Sequence, residues 1–277
     1  MASNYAQDDT GYLDRYVAFL DILGFSQLTE KADKHPNWRA WLRDCVAALH
    51  ATVPPKVEAT GFRFVQFSDS IVLSAPRNAG GLNAVFWGTK LLANNMLGRG
   101  ILLRGGIAAG HFHHDDHLMF GPALVRAYAF EQHGAPPHIG LHESVIEDLK
   151  PSLISHGHQD WLVQDPWDLS PMLHTLIDYG SYDGIPRPGG VVLEGQGVGL
   201  ARMIHQYATD MTAAPAVRAK WRWQQDYWNQ TVAPKAILSL SKETDWEAEM
   251  QRVTQAEQQR LALQNLIEKG GLPPGNG

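Results

Sequence analysis

The sequence predicts an α/β (α+β) fold: a central, mostly antiparallel sheet with flanking helices, followed by a helical C-terminal extension. Three observations carry this. Two runs rich in β-branched and aromatic residues, 16–25 and 62–73, read as core strands, and the second turns back on itself as a hairpin. Helical and strand patterns alternate in the order β-α-α-β-β-α-β-α-β, which argues for an α/β layer with an antiparallel hairpin at its centre. Beyond about residue 196 only helical patterns remain.

The elements follow in order. The first strand spans 16–20, and a turn at Gly24 leads into a helical stretch. Residues 38–52 form an amphipathic helix that Pro54-Pro55 ends, because the residue before a proline avoids the helical region. The hairpin pairs 61–67 with 71–74 around Ser68-Asp69-Ser70, and 81–97 has the apolar spacing of a helix. Residues 101–110 are a strand rich in small residues, and the polar segment 111–117 is expected to be a turn. Phe120-Gly121-Pro122 opens a helix over 123–132, since the first helical turn tolerates a missing donor. A short strand at 138–141 and a short helix at 143–149 come next. In the extension, 199–211, 217–229 and 246–269 are helical in pattern. The last reads as a solvated helix in preference to a partner-helix surface, and the tail 272–277 as disordered. Trp221, Trp223 and Trp228 fall near helical spacing and read as packing residues.

Composition narrows the function. The chain has 277 residues, 44% of them hydrophobic, enough for one sizeable core with an appendage or for two small domains. A formal net charge of −6 argues against a general nucleic-acid binder, which needs a basic face. The single cysteine, Cys45, cannot form an intramolecular disulfide, which fits a reducing compartment, and its helical setting suggests a small core hydrophobe. Residues 1–10 have neither the basic nor the apolar region of a signal peptide, and the longest apolar stretch is broken by polar and basic residues. A soluble cytoplasmic protein without membrane or nucleic-acid partners is expected.

The chemistry concentrates on two carboxylates. Asp21 ends the first strand and Asp69 sits at the hairpin tip, each inside otherwise apolar sequence. A buried carboxylate loses its hydration unless something pairs with it, and two facing carboxylates repel unless a divalent metal lies between them. Such a pair suits phosphoryl transfer, where metals clamp a triphosphate and activate an attacking oxygen. The bland alternatives are that Asp21 caps the following helix and that Ser-Asp-Ser is turn material.

These segments match a known family. Phe19-Leu20-Asp21-Ile22-Leu23-Gly24-Phe25 resembles the first metal motif of class III nucleotidyl cyclases, and Phe67-Ser68-Asp69-Ser70 their second. Residues Arg104-Gly105-Gly106-Ile107 are similar to the following strand, and Phe120-Gly121-Pro122 with the segment to Glu131 resembles the dimer-facing hairpin and helix. The likeness is strongest to the divergent branch found in Pycsar anti-phage systems, which makes cyclic pyrimidine nucleotides. The resemblance implies a ferredoxin-like cyclase domain over 12–195 and a helical extension over 196–277. It implies two Mg²⁺ or Mn²⁺ ions on Asp21, Asp69 and the Ile22 backbone. Leu23, Gly24, Phe25 and Ser26 would cradle the triphosphate through their amides, with Arg104 adding charge. UTP or CTP would be cyclised at sites shared across a homodimer, for a separate effector protein to sense.

Two departures from the family pattern stand out. Its usual Asn and Arg on the dimer-facing helix fall on Val125 and Ala129, which leaves Arg126, three residues before Ala129, as the substitute catalytic arginine. Its base-reading positions fall on Val65 and Leu118, with Gln66 the nearest amide, though alternation points Gln66 to the opposite face from Val65. No purine edge finds a polar partner at Val65 or Leu118. A catalytically inactive nucleotide-binding or partner-binding module is the alternative function. Two further motifs are weaker. The histidine-rich run 111–117 matches no tetrahedral zinc spacing, and Gly195-Gln196-Gly197-Val198-Gly199 superficially resembles a dinucleotide loop without the strand and acid that should follow.

Overall fold

The structure, a computed structural model, describes residues 11–52, 61–132, 136–155, 161–176 and 194–232. Among these the chain runs β1 (Leu13–Ile22), α1 (Phe25–Lys34), α2 (Pro36–Thr52), β2 (Arg63–Phe67), β3 (Ser70–Pro76), α3 (Ala79–Leu97), β4 (Leu103–His114) and β5 (Met119–Phe120). It continues through α4 (Pro122–Gln132), β6 (Ile139–Leu141), α5 (Glu143–Ser155), β7 (Leu162–Gln164), β8 (Pro171–Leu173), α6 (Glu194–Thr209) and α7 (Pro215–Thr231). The sheet order is β2-β3-β1-β4-β6-β8-β7, with β5 pairing onto the end of β4. Only β4 and β6 run parallel; the other paired strands are antiparallel.

Alternation along β1 sorts the core. Tyr16, Ala18, Leu20 and Ile22 face one way, onto Cys45 and Leu49 of α2, Val85 and Phe86 of α3, and Val145 and Leu149 of α5. Burying each of these larger apolar side chains contributes roughly 1.5–3 kcal/mol of transfer free energy. Val17 and Phe19 face the other way, onto Ala123 and Ala127 of α4. The same alternation turns Asp21 to that second face. There α4 comes close because β4 and β6 are stripped of side chains beneath it. A Cβ on Gly106 or Gly140 would lie only 2.2 or 2.3 Å from the Phe130 ring.

The structure extends or corrects several expectations. β4 runs on to His114, so His111 to His114 are strand and only the next few residues turn; Phe112 and His114 are buried and hold the strand to the core. Asp115 closes that turn by accepting the His117 and Leu118 amides at 2.8 Å each. β5 supplies the second strand of the hairpin that the resemblance placed before α4, while β7 and β8 were not expected. Gly195 to Gly199 lie within α6, so no glycine loop exists there to hold a dinucleotide. The helices that open the expected extension dock on the sheet: α6 and α7 bury Leu200, Ile204, Trp221, Trp223 and Trp228 against Leu97, Leu102, Met172 and Leu176. The helix expected at 246–269 and the tail at 272–277 lie outside the described residues, as do residues 1–10.

A polar chain crosses the second face. The Arg15 guanidinium donates to Ser74 Oγ (3.1 Å) and the Gly61 carbonyl (2.6 Å), and Ser74 Oγ meets His114 Nδ1 at 2.7 Å. Burial, reinforced by the Arg15 and Arg63 guanidiniums, lowers the His114 pKa from 6.5 to about 4. His114 is therefore neutral in the fold at neutral pH, while the unfolded chain takes up its proton first. This contribution to stability is whole above pH 6.5 and is lost as pH falls toward about 4. Discounted for partial solvation, it amounts to about 2 kcal/mol. Denaturant titrations from pH 7 to 4 should give a shallower acid decline for His114→Gln than for wild type; parallel curves would refute this account.

Candidate active site

The second face converges on a charged cluster at the end of β1. Asp21 pairs in register with Ser70 of β3 on one side and Arg104 of β4 on the other. Arg104 Nε donates to Asp21 Oδ2 at 2.9 Å, and its Nη2 donates to Glu131 Oε1 at 2.5 Å. The three side chains are only 14–21% exposed. Burial raises the Asp21 carboxyl pKa, Arg104 opposes the rise, and the nearby charges of Asp69 and Glu131 add to it. Glu131 reaches Arg104 because Phe130, its neighbour on α4, sits flat over Gly106 and Gly140.

Asp69 is carried to the same place by the hairpin. Ser68 adopts a left-handed conformation (φ 56°) that lets the chain reverse between Phe67 and Ser70. The turn is stitched to β1, because the Ile22 amide donates to the Asp69 carbonyl at 2.9 Å. Gly24, left-handed at φ 79°, then swings the chain into α1 without a side-chain cap, so Asp21 is not a helix cap. The first amide to bond back along α1 is that of Leu28, to the Gly24 carbonyl at 3.1 Å. The expected phosphate cradle narrows accordingly. The Leu23 amide already donates to the Leu102 carbonyl at 3.0 Å, which removes it from the set. The first-turn amides at Phe25 and Ser26 have no intrahelical partner, and Gly24 leads into them.

The remaining sequence candidates divide. Val65 pairs with Val72, which pairs with Phe19, so it shares the face of Asp21. Gln66 is on the opposite face, where its side chain bonds His50 of α2 (3.0 Å) and the Ser68 carbonyl (3.1 Å); it does not join the cluster. Arg126 donates to the Ala109 carbonyl at 3.2 Å. Ala109 pairs with Tyr16, five residues back along β1 from Asp21 and so about 16 Å away. Leu118 is exposed at the β4–β5 turn, beyond the far end of β4 from Arg104 and about 33 Å along the strand. Within one chain Asp21, Asp69, Arg104 and residues 24–26 come together, while Arg126 and Leu118 do not. Sequence reasoning missed Glu131 as a partner of Arg104. Its signal, an acid one residue after the aromatic that covers Gly106, is legible only once α4 is seated on β4.

No cluster of three or more His, Cys, Asp or Glu side chains that would cage a metal occurs among the described residues. The donor set still fits magnesium or manganese. These hard cations take oxygen ligands, and magnesium sites commonly use one or two carboxylates and leave the rest to water and substrate phosphate. Asp21 keeps Oδ1 clear of the Arg104 bond, and Asp69 lies beside it.

No protein-family model matches the chain, and no curated protein matches it. Several solved structures are similar to it. One is the catalytic core of a rhodopsin-guanylyl cyclase with converted specificity in complex with ATPalphaS, at 15% identity over 51% of this chain and 83% of that one, with a TM-score of 0.38. Another is an adenylate/guanylate cyclase/hydrolase from Silicibacter pomeroyi, at 18% identity over 58% of this chain and 94% of that one, TM-score 0.37. A third is the guanylyl cyclase Cya2, at 15% identity over 58% and 90% of the two chains, TM-score 0.35. Likeness at this level transfers no residue's role to this chain. Among the described residues no helix is long and apolar enough to cross a membrane.

Proposed function

We propose that this protein is a metal-dependent nucleotidyl cyclase that converts UTP or CTP to the 3′,5′-cyclic monophosphate and pyrophosphate. The observation that carries the reading is the meeting of Asp21 and Asp69, from β1 and the β2–β3 turn, beside the open amides that begin α1. The substrate's 3′-oxygen forms a new bond to the α-phosphorus, the bond from that phosphorus to the departing pyrophosphate breaks, and the hydroxyl proton leaves to water. Two Mg²⁺ or Mn²⁺ ions, when bound, would lower the hydroxyl's pKa and neutralise charge on the leaving group. Asp21 and Asp69 would hold the metal–triphosphate, and the amides from Gly24 to Ser26 would orient its phosphates. Arg104 fixes the Asp21 carboxylate in place and is itself held by Glu131.

The pyrimidine preference rests on Val65 and Leu118, which offer no hydrogen bond to a purine edge, and a site without such bonds forgoes the discrimination they provide. The lean to UTP, the role in anti-phage defence and the separate effector that senses the product rest on the Pycsar resemblance. Homodimerisation follows from the resemblance, which shares each site between two copies and would bring Arg126 and Leu118 to the Asp21 of a second copy. It is also supported by the exposed apolar residues Val125 and Tyr128 of α4 and Phe67 of the hairpin. The second reading, a catalytically inactive module, is favoured by Val125 and Ala129 where the family carries Asn and Arg.

The test is competition. All four NTPs at equal concentration are incubated with the protein and Mn²⁺, products are resolved by mass spectrometry, and molecular mass is measured by light scattering. Cyclic UMP or CMP from a dimer is expected. Predominant cyclic AMP or GMP would remove the pyrimidine assignment alone, activity from a monomer would remove Arg126 from the site, and no cyclic product would favour the inactive module.

A further inference from the structure

We propose that Lys220 on α7 is a triphosphate-binding residue of the Asp21 site, so that the C-terminal helices complete the site from within the same chain. The inference rests on the reading of that site as one that takes a metal–triphosphate. Its geometry comes from the sheet-facing stripe of α7. Lys220, Trp223, Gln224 and Tyr227 recur at helical spacing on one side. Three of them are buried under the sheet. Trp223 Nε1 donates to Asp165 Oδ2 at 3.0 Å, Tyr227 Oη meets His174 Nδ1 at 2.8 Å, and Gln224 is 4% exposed. One turn earlier the stripe reaches Lys220.

The ground beneath Lys220 is the approach to Asp21 from two directions. Leu23, two residues beyond Asp21, and Leu102, two residues before Arg104 on the same side of the strand, both pack into the cluster that holds Trp221 and Trp223. Lys220, one turn before Trp223 on the same stripe, lies near enough to the Asp21–Arg104 pair for the charges of both to act on it. Burial comes first and the Arg104 guanidinium second in lowering its pKa below the ordinary lysine value, and the Asp21 carboxylate pulls the other way.

The unpaired ammonium points to the ligand. Asp21 and Glu131 both pair directly with Arg104. Among the described residues no hydrogen bond or ion pair engages the Lys220 ammonium. A half-buried cation beside a guanidinium, in ion pair with neither carboxylate, is left available to an anion that enters the site. The bland reading is that Lys220 only offsets the charge of Asp21, but that carboxylate is already committed to Arg104. A triphosphate on the amides of Gly24 to Ser26 brings several negative charges to the neighbourhood of Asp21. An ammonium is suited to them as a mobile point charge.

The two readings differ in what Lys220 does for triphosphate. Inorganic triphosphate binding to the full chain is measured by calorimetry with Mn²⁺ saturating, and Mn²⁺ binding alone by electron paramagnetic resonance. Neither readout requires turnover. Lys220→Gln should weaken triphosphate about tenfold or more, and Lys220→Arg should restore most of it. Mn²⁺ alone should bind no more weakly in Lys220→Gln, because a positive charge near Asp21 has gone. Wild-type triphosphate affinity in a folded Lys220→Gln protein would overturn the inference alone. So would a parallel loss of Mn²⁺ affinity, which would mean that the site had merely been disordered. Should Lys220→Gln not fold, Lys220→Met keeps the apolar stem and carries the same comparison. A wild-type chain that binds no Mn²⁺–triphosphate would overturn the metal–triphosphate reading itself, and the inference with it.

Discussion

Asp21→Asn and Asp69→Asn are each expected to reduce cyclic-nucleotide formation at least about a hundredfold while leaving the protein folded. The loss follows from chemistry: an amide oxygen carries no charge to hold a hard cation, and a two-carboxylate site cannot spare half of its charge. Retention of the fold follows from local bonding. In Asp21→Asn, Arg104 keeps Glu131 at 2.5 Å, so the guanidinium is not left buried and unpaired. In Asp69→Asn the turn is held by the main-chain carbonyl bond to Ile22, and asparagine suits turns as well as aspartate does. Product formation with Mn²⁺ and UTP, beside a thermal melt of each variant, makes the check. Wild-type turnover by either variant would rule out the two-metal reading.

What was legible beforehand divides along physical lines. β1, the hairpin, α3 and α7 were readable because period 2 or 3.6 runs through at least one full apolar face. Asp21 and Asp69 stood out because a charge interrupts such a face. β7 and β8 were not readable, since three residues are too few for any period to register. The end of β4 was hidden by polar residues that the core accepts: His111, His113 and His114 disguise an alternation whose buried members are Phe112 and His114. Glu131 and Lys220 escaped notice for a different reason. Each is an ordinary charge on a helix, and only the seating of α4 over Gly106 and of α7 over Leu102 brings it to the site. Local sequence encodes faces; which faces meet is decided by packing.

The contact on which α7 depends should be equally sensitive. Asp165, between β7 and β8, is fully buried, and its carboxylate accepts from four donors. These are His138 Nδ1 (2.6 Å), Trp223 Nε1 (3.0 Å), and the Trp167 (2.7 Å) and Asp168 (3.3 Å) amides. One side chain thus ties β6, its own loop and α7 together. Asp165→Ala would leave the His138 and Trp223 donors buried without partners, and the expected loss is about 3–5 kcal/mol. For a chain of this size that is a fall of roughly 10 °C in melting temperature. Trp223→Phe removes one of those donors, so adding it to Asp165→Ala should cost less than it does in wild type. Strict additivity of the two would place the loss elsewhere than in this network. Asp165→Ala should also loosen α7 before the sheet unfolds, because β1, β3 and β4 keep every pairing bond. Hydrogen exchange read by mass spectrometry should therefore show α7 amides opening in the variant while β1 amides remain protected. Equal loss of protection in both would mean that α7 and the sheet unfold as one unit.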